Sequence, residues 1–250
     1  MKANILDLEG KVIEEIDLPK IFEEPLREDL IRRAFLAIRA NKRQPYGTDT
    51  MAGKRTSAHY HGYRRHRWTM MSREMARMPR LHGKIPLQQM FRARFVPQAV
   101  KGREAHPPKV EKVWDQKINE KERRKAIKSA IAATAMKEVV LKRGHKAEEL
   151  NLPLVVEDKI QEVSKTKELE KILEKIGLGK ELKRIKNAKK KKVGPLVVIT
   201  KDKGISKAAK NLGLDVSLVE NLNAEILAPG GMPGRLVIWC KSAIEKLGGN

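Results

Sequence analysis

Short apolar runs and stretches with a helical period alternate along most of this chain, and one long segment carries neither. At the N-terminus, residues 3–8 and 11–16 are strand-like runs on either side of Glu9-Gly10, which predicts a hairpin. Leu30, Ile31, Ala34, Phe35 and Ile38 then share one face at the helical period, predicting a helix over about 26–40. Glu28 and Asp29 in its first turn and Arg39, Lys42 and Arg43 near its end suit the helix dipole. A second helix is predicted over about 120–142, opened by Asn119 as N-cap and stopped by Gly144. Its face of Ile127, Ala130, Ile131 and Thr134 is rich in small residues, so a neighbouring element can approach closely.

Beyond that helix, strands are predicted at 152–156, 196–200, 216–219 and 236–240, with helices at 169–176, 206–212 and 242–247. Strands alternating with helices imply βαβ units and right-handed crossovers. The predicted fold class is therefore α/β. Residues 1–40 and 111–250 form one globular domain with a mainly parallel sheet and flanking helices.

Residues 41–110 break the pattern, because no apolar period is sustained there. They hold 16 Lys and Arg against three acids, Asp49, Glu74 and Glu104, together with five of the six histidines and all three tyrosines. Loops beyond about 12–15 residues are uncommon in compact domains unless they are functional or disordered. Tyr46, Tyr60, Tyr63, Trp68, Phe91 and Phe95 make this one too aromatic for an ordinary disordered linker. Cations meet phosphates and rings stack on unpaired bases, so the segment reads as a long extended basic loop that binds RNA.

Composition points the same way. The 250 residues include 54 Lys and Arg against 31 Asp and Glu, a formal charge of +23. Such a charge repels itself unless a polyanion neutralises it, and nucleic acid is the first expectation. An anionic membrane surface is the weaker alternative, and no apolar run approaches the roughly 20 residues of a membrane span. Met1-Lys2-Ala3-Asn4 opens no secretory signal, and the single Cys240 allows no internal disulfide, so a soluble cytoplasmic protein is expected.

Candidate chemistry is sparse. His59, His61 and His66 have no cysteine or carboxylate cluster beside them, so phosphate or base contact, or plain solvation, is favoured over a metal. Neither a metal nor a cofactor is predicted. Met70, Met71, Met75 and Met78 have helical spacing and read as packing residues against RNA or a neighbouring protein. Gly230-Gly231-Met-Pro-Gly234-Arg235 reads as a tight loop entering a buried strand, since the phosphate-loop pattern GxxxxGK[ST] is absent. Cys240 reads as a small core residue. An RNA-modifying enzyme on a nucleotide-binding α/β fold is the rival reading. It needs a glycine-rich turn after the first strand, whereas Glu9-Gly10 leads into a second strand. A DNA-packaging role fits less well, because duplex DNA offers few unstacked bases to the aromatics.

Four stretches carry a resemblance: Met51-Ala-Gly-Lys-Arg-Thr-Ser-Ala58, then Val96-Pro-Gln-Ala-Val-Lys-Gly-Arg-Glu-Ala-His-Pro-Pro-Lys-Val-Glu-Lys112, the helix at 121–135, and Leu227-Ala-Pro-Gly-Gly-Met-Pro-Gly-Arg-Leu-Val-Ile-Trp239. In this order they resemble the family of large ribosomal subunit protein four in its archaeal and eukaryotic form, over nearly the whole chain. The resemblance implies a structural, non-enzymatic protein with a parallel-sheet α/β domain on the outside of the large subunit. It also implies a loop threading through ribosomal RNA to the nascent-peptide exit tunnel. The implied partners are large-subunit rRNA, neighbouring large-subunit proteins and the nascent peptide, without a membrane, in the cytoplasm as part of the ribosome.

Lys54, Arg55, Lys101 and Arg103 then belong to the RNA-contacting stem of the loop, with Arg92 and Arg94 on its return. Arg64, Arg65, Arg67, Trp68, Arg73, Arg77 and Arg80 are further rRNA-binding candidates. The tip should lie between residues 61 and 78, with Tyr63, Arg64, Arg65, His66, Arg67 and Trp68 facing the tunnel. Two departures accompany the resemblance. The family's archaeal tip is glycine-rich where this one is basic and aromatic. Its basic insertion ahead of Leu196 is shortened here to Lys189–Lys192, for which phosphate contact and solvation stay open.

Overall fold

Six strands hydrogen-bond into one sheet, and its makeup follows from the apolar runs of the sequence. A computed structural model of the chain describes residues 1–188 and 193–249, so the phosphate contact considered for Lys189–Lys192 falls outside the described residues. The chain divides into two compact units, Met1–Lys42 with Asp115–Asn250, and Arg43–Trp114.

The first unit runs β1 (Lys2–Leu6), β2 (Val12–Asp17), α1 (Glu28–Asn41), α2 (Glu120–Ala135), α3 (Lys137–Lys142), β3 (Leu154–Val156), α4 (Thr166–Lys175), α5 (Gly179–Lys186), β4 (Leu196–Ile199), α6 (Ile205–Asn211), β5 (Asp215–Leu218), α7 (Ala224–Leu227), β6 (Val237–Cys240) and α8 (Lys241–Gly248). The sheet order is β2-β1-β3-β6-β4-β5. Only β1 and β2, the predicted hairpin, pair antiparallel; the other four pairings are parallel. β4 and β6 are buried along their whole length, Leu-Val-Val-Ile and Val-Ile-Trp-Cys, as expected for parallel strands covered on both faces. β2 is the edge and is mostly exposed, with Glu14, Glu15 and Asp17 along it, a composition that discourages pairing with another chain.

The predicted 120–142 helix is two helices. Met136 adopts an extended conformation (φ −83°, ψ 102°) between α2 and α3. Thr134 Oγ1 donates to the Ile131 carbonyl at 2.7 Å, a back-bond that competes with the regular helical ladder. Asn119 does occupy the N-cap, yet its side chain makes no capping bond. Of the predicted small-residue face of α2, Ala130, Ile131 and Thr134 are buried and Ile127 is half-buried, while Ala126, outside that set, packs with Ala34 of α1 and Ala224 of α7 in one cluster. Ser129 Oγ accepts from the Arg27 N–H at 2.8 Å and donates to the Pro25 carbonyl at 3.0 Å, which ties the start of α1 to α2. Helix α5 was not predicted. Its apolar positions are few, and its inner face is built around a charged residue, Glu181.

At the carboxyl ends of the central parallel strands, where open α/β folds hold ligands, polar groups bond to each other. Asp158 accepts from Ser242 Oγ at 2.6 Å and from Gln161 Nε2 at 2.9 Å, and Thr200 Oγ1 lies 3.0 Å from Ser242 Oγ. Cys240 beside them is fully buried, and burial, reinforced by the charge of Asp158, pushes its thiol up to about 12. No described helix is long and apolar enough to cross a membrane.

Candidate nucleic-acid interface

The second unit, Arg43–Trp114, has almost no regular structure beyond a short 3-10 turn at Leu87–Gln89. Its chain goes out and returns. The Thr48 N–H donates to the Pro108 carbonyl at 3.2 Å. At Gly53 (φ +72°) a Cβ would come within 2.5 Å of the Gly102–Arg103 backbone, so the two stretches of the family resemblance meet at a point only glycine permits. Farther along, single bridges join His59 to Arg80 and Arg80 to Ala93, and the Met70 N–H donates to the His61 carbonyl at 3.3 Å. Met70 and Leu81 are the only buried apolar side chains of the unit. The methionines, despite their helical spacing, lie in turns and irregular chain: Met70 is buried, Met71 and Met78 are half-buried and Met75 is exposed.

Nine of the thirteen RNA-binding candidates are exposed: Lys54, Arg55, Arg64, Arg65, Arg67, Arg73, Arg77, Arg92 and Lys101. Trp68, Arg80, Arg94 and Arg103 are half-buried. Two of these guanidiniums serve the unit's own backbone. Arg80 donates to the carbonyls of Phe91 (2.7 Å) and Ala76 (3.0 Å), and Arg94 to that of Val100 (2.6 Å). Within the unit one ion pair forms among the described residues, Arg55 with Asp49 at 2.7 Å. With 16 Lys and Arg against four acids across 43–114, nearly all of its positive charge has no internal counter-charge.

Of the tip candidates, Tyr63 is 80% exposed, and Arg64, Arg65, His66 and Arg67 are exposed too. Trp68 is turned inward. Its ring stacks on His82 (5.4 Å between centroids, 13°) and tilts against Phe91 at 6.0 Å, with the Arg67 guanidinium 4.9 Å from its centre. Arg73 covers Phe91 at 4.5 Å. At the other end of the unit, Tyr46 stacks on Trp114 at 5.7 Å, and Arg43 lies 3.8 Å over the Trp114 ring. Among the described residues, five non-glycine residues have positive φ, Arg65, Ser72, Phe91, Phe95 and Lys101, all in this unit. Such conformations cost about 1–3 kcal/mol each and persist only where the surroundings impose them.

The histidines are brought together, but not as the sequence grouped them. His59, His61 and His82 converge, with ligand-capable atoms all within 4.8 Å of one another. His66 instead lies parallel to His61, 4.6 Å away at 22°. His61 and His82 are held below the ordinary histidine range, first by desolvation and then by the neighbouring imidazoles. His82, 21 residues from His61, gave no signal in sequence spacing.

Two arginines of the first unit, one buried and one half-buried, are turned to backbone carbonyls. Arg235, 1% exposed, donates to the carbonyls of Gly194 (2.9 Å) and Ile226 (2.8 Å) and pairs with Asp215. Arg143 donates to the carbonyls of Pro229, Met232 and Pro233, so the Gly230–Gly234 turn wraps a guanidinium with its oxygens rather than presenting N–H groups to a phosphate. Burial, then the nearby charge of Arg235, lowers Arg143 to about 10.

The profile of the ribosomal protein L4/L1 family matches residues 16–250. The chain is similar to the large ribosomal subunit protein uL4 of Methanosphaera stadtmanae, 46% identical over 99% of this chain and 96% of that protein. It is likewise similar to the proteins of the same name from Archaeoglobus fulgidus (44% identical) and Methanocaldococcus jannaschii (45%), each over 99% of this chain and 98% of the relative.

Proposed function

Because the chain belongs to the ribosomal protein L4/L1 family, we propose that it is a structural constituent of the large ribosomal subunit that binds rRNA chiefly through residues 43–114. It is not an enzyme, and its place is in the ribosome, in the cytoplasm. The observation that carries the RNA-binding reading is the unneutralised charge of the second unit: nine exposed candidate cations and a single internal ion pair. An RNA backbone supplies the missing counter-charge, and the positive-φ residues are the kind of strained backbone that a surrounding partner can hold in place. Neighbouring large-subunit proteins complete the assembly.

The finer proposal concerns position. The residues between the two legs, 61–78, reach the nascent-peptide exit tunnel as an extended loop and meet the emerging peptide. Tyr63, Arg64, Arg65, His66 and Arg67 are the exposed groups suited to that contact, whereas Trp68 supports them from beneath by stacking on His82. Arg80 and Arg94 act as internal ties of the loop before they act on phosphates.

Binding of the purified chain to large-subunit rRNA, measured across a salt series, tests the reading. With about nine cations on phosphates, log K should fall against log salt with a slope of about −6 to −8. A slope near zero, or binding unchanged after Arg64, Arg65, Arg67 and Arg73 are replaced by alanine, would contradict it.

A further inference from the structure

We propose that His59, His61 and His82 form a binding site for one divalent transition-metal ion of the zinc class. The site lies between two stretches of backbone locked together by hydrogen bonds. The Arg80 N–H donates to the His59 carbonyl at 3.1 Å, and the Phe91 N–H to the Leu81 carbonyl at 2.8 Å, which fixes His82 opposite His59 and His61. The three rings crowd each other, with centroids 4.2, 4.3 and 4.7 Å apart.

The donor atoms converge rather than merely cluster. His61 Nε2 and His82 Nε2 are 2.9 Å apart. A tetrahedral zinc ion with bonds of about 2.0–2.1 Å holds its ligand nitrogens about 3.3 Å from each other. A separation of 2.9 Å between two and at most 4.8 Å among all three needs side-chain movements of only an ångström or so. His59 Nδ1 lies 3.2 Å from the Ser57 carbonyl. A proton on Nδ1 donated to that oxygen leaves Nε2 as a lone-pair donor, the way a backbone carbonyl commonly orients a ligating histidine.

Three imidazoles with no carboxylate suit zinc, nickel or copper and not the oxygen-seeking calcium or magnesium. A three-histidine set leaves the fourth position to water or another oxygen donor. Trp68 stacks on His82, and two residues joined to the cluster through the backbone, Leu81 beside His82 and Met70 bonded to the His61 carbonyl, are buried. The guanidinium of Arg80, whose backbone joins the two stretches, is directed at the Phe91 and Ala76 carbonyls. The ion would join the outgoing and returning legs of a unit that has scarcely any apolar core.

The test is a titration of the purified, untagged, RNA-free full chain with Co2+, followed by displacement with Zn2+. We expect uptake of one Co2+ per chain with the visible bands of a four-coordinate ion. His59→Ala, His61→Ala and His82→Ala should each weaken binding at least as much as the ~100-fold upper range for losing an outer partner of a ligand, and His106→Ala should leave it unchanged. His82→Cys should retain Co2+ and add a thiolate-to-cobalt charge-transfer band, which distinguishes a lost ligand from a misfolded variant. The proposal is overturned by absence of stoichiometric uptake in the wild type, by unchanged affinity in the three alanine variants, by equal loss in His106→Ala, or by absence of the charge-transfer band in His82→Cys.

Discussion

At the scale of single residues, the same side-chain type serves opposite ends. Arg235 and Arg143 are spent inside the first unit on backbone carbonyls, while Arg64 and Arg67 stand in solvent. Glu181 shows how the interior tolerates charge. It is fully buried and accepts from His145 Nδ1 (2.6 Å), the Lys146 N–H (2.9 Å) and Arg184 Nε and Nη2 (2.8 and 2.6 Å). Burial by itself would raise its carboxyl, but the hydrogen bonds from His145, Arg184 and the Lys146 N–H prevail and lower it from 4.5 to about 2. A carboxyl depressed in the folded state contributes its stability fully above the unfolded value, and that contribution is lost as pH falls from about 4.5 towards 2. Glu181→Gln should therefore cost about 3–5 kcal/mol at neutral pH, since it leaves the half-buried Arg184 guanidinium uncompensated, and should flatten the acid limb of the stability profile. Urea midpoints measured from neutral pH into this window check it; parallel profiles for the two proteins would remove the role. Gly234 (φ +86°) is a second sensitive point, because a Cβ there would sit 2.6 Å from the Val139 carbonyl oxygen of α3. Gly234→Ala should destabilise by about 1–3 kcal/mol, whereas Gly83→Ala, with open space around it, should lose only the backbone-strain part. Thermal melts of both would show equal shifts if the contact with α3 did not matter.

At the scale of elements, stability is unevenly distributed. The parallel strands β3, β4 and β6 are buried throughout and flanked by helices. The Arg43–Trp114 unit rests on turns, isolated bridges and two buried apolar side chains. Segments with few buried apolar contacts and exposed backbone hydrogen bonds open first. Limited trypsin treatment of the free chain should cut first at Arg64, Arg65, Arg67, Arg73 or Arg77, and bound rRNA should suppress those cuts. Initial cleavage within the lysine-rich α4 or α5 would show that the ranking is wrong. The break at Met136 belongs to the same scale. It separates α2, which packs its alanines against α1 and α7, from α3, whose Val139 backbone abuts the Gly234 turn.

For the whole molecule, the division of charge matters more than its total. The formal +23 divides almost evenly, since the first unit holds 38 Lys and Arg against 27 acids and the second 16 against four, but the first unit's charges are held in many ion pairs, such as Arg33–Glu122, Lys203–Glu162 and Arg184–Glu181. Among the described residues, the second unit has only Arg55–Asp49. Deleting residues 61–78 removes Arg64, Arg65, Arg67 and Trp68 but leaves the Thr48–Pro108 and Gly53–Gly102 appositions, with Lys54, Arg55, Arg92, Lys101 and Arg103. The shortened protein should still enter large subunits, since the remaining cations can hold phosphates, while pausing at tunnel-sensitive peptides should change. Subunit occupancy and pausing in a deletion strain separate the two expectations. Failure to enter subunits would place the anchoring energy in 61–78, and unchanged pausing would take the tunnel contact away from them.

The sequence by itself determined the α/β class, the hairpin, the alternation of strands and helices, the family resemblance and the interval where basic and aromatic residues replace an apolar period. All of these are local patterns, since burial on a sheet or helix imposes a period that survives in one dimension. It could not place α5, because an inner face built on Glu181 imitates a solvated one until His145 and Arg184 are brought to it. It misjudged the 120–142 helix, because the break at Met136, beside the Thr134 back-bond, is marked by neither proline nor glycine. It treated Arg80 and Trp68 as RNA contacts by type, whereas Arg80 bonds to carbonyls four and 11 residues away and Trp68 stacks on a ring 14 residues away. The histidine cluster is the clearest case: His66 is nearer in sequence, yet backbone pairing through Arg80 is what brings His82 to His59 and His61. Periodicity records which faces are buried, but convergence of side chains from distant segments exists only once the backbone has paired.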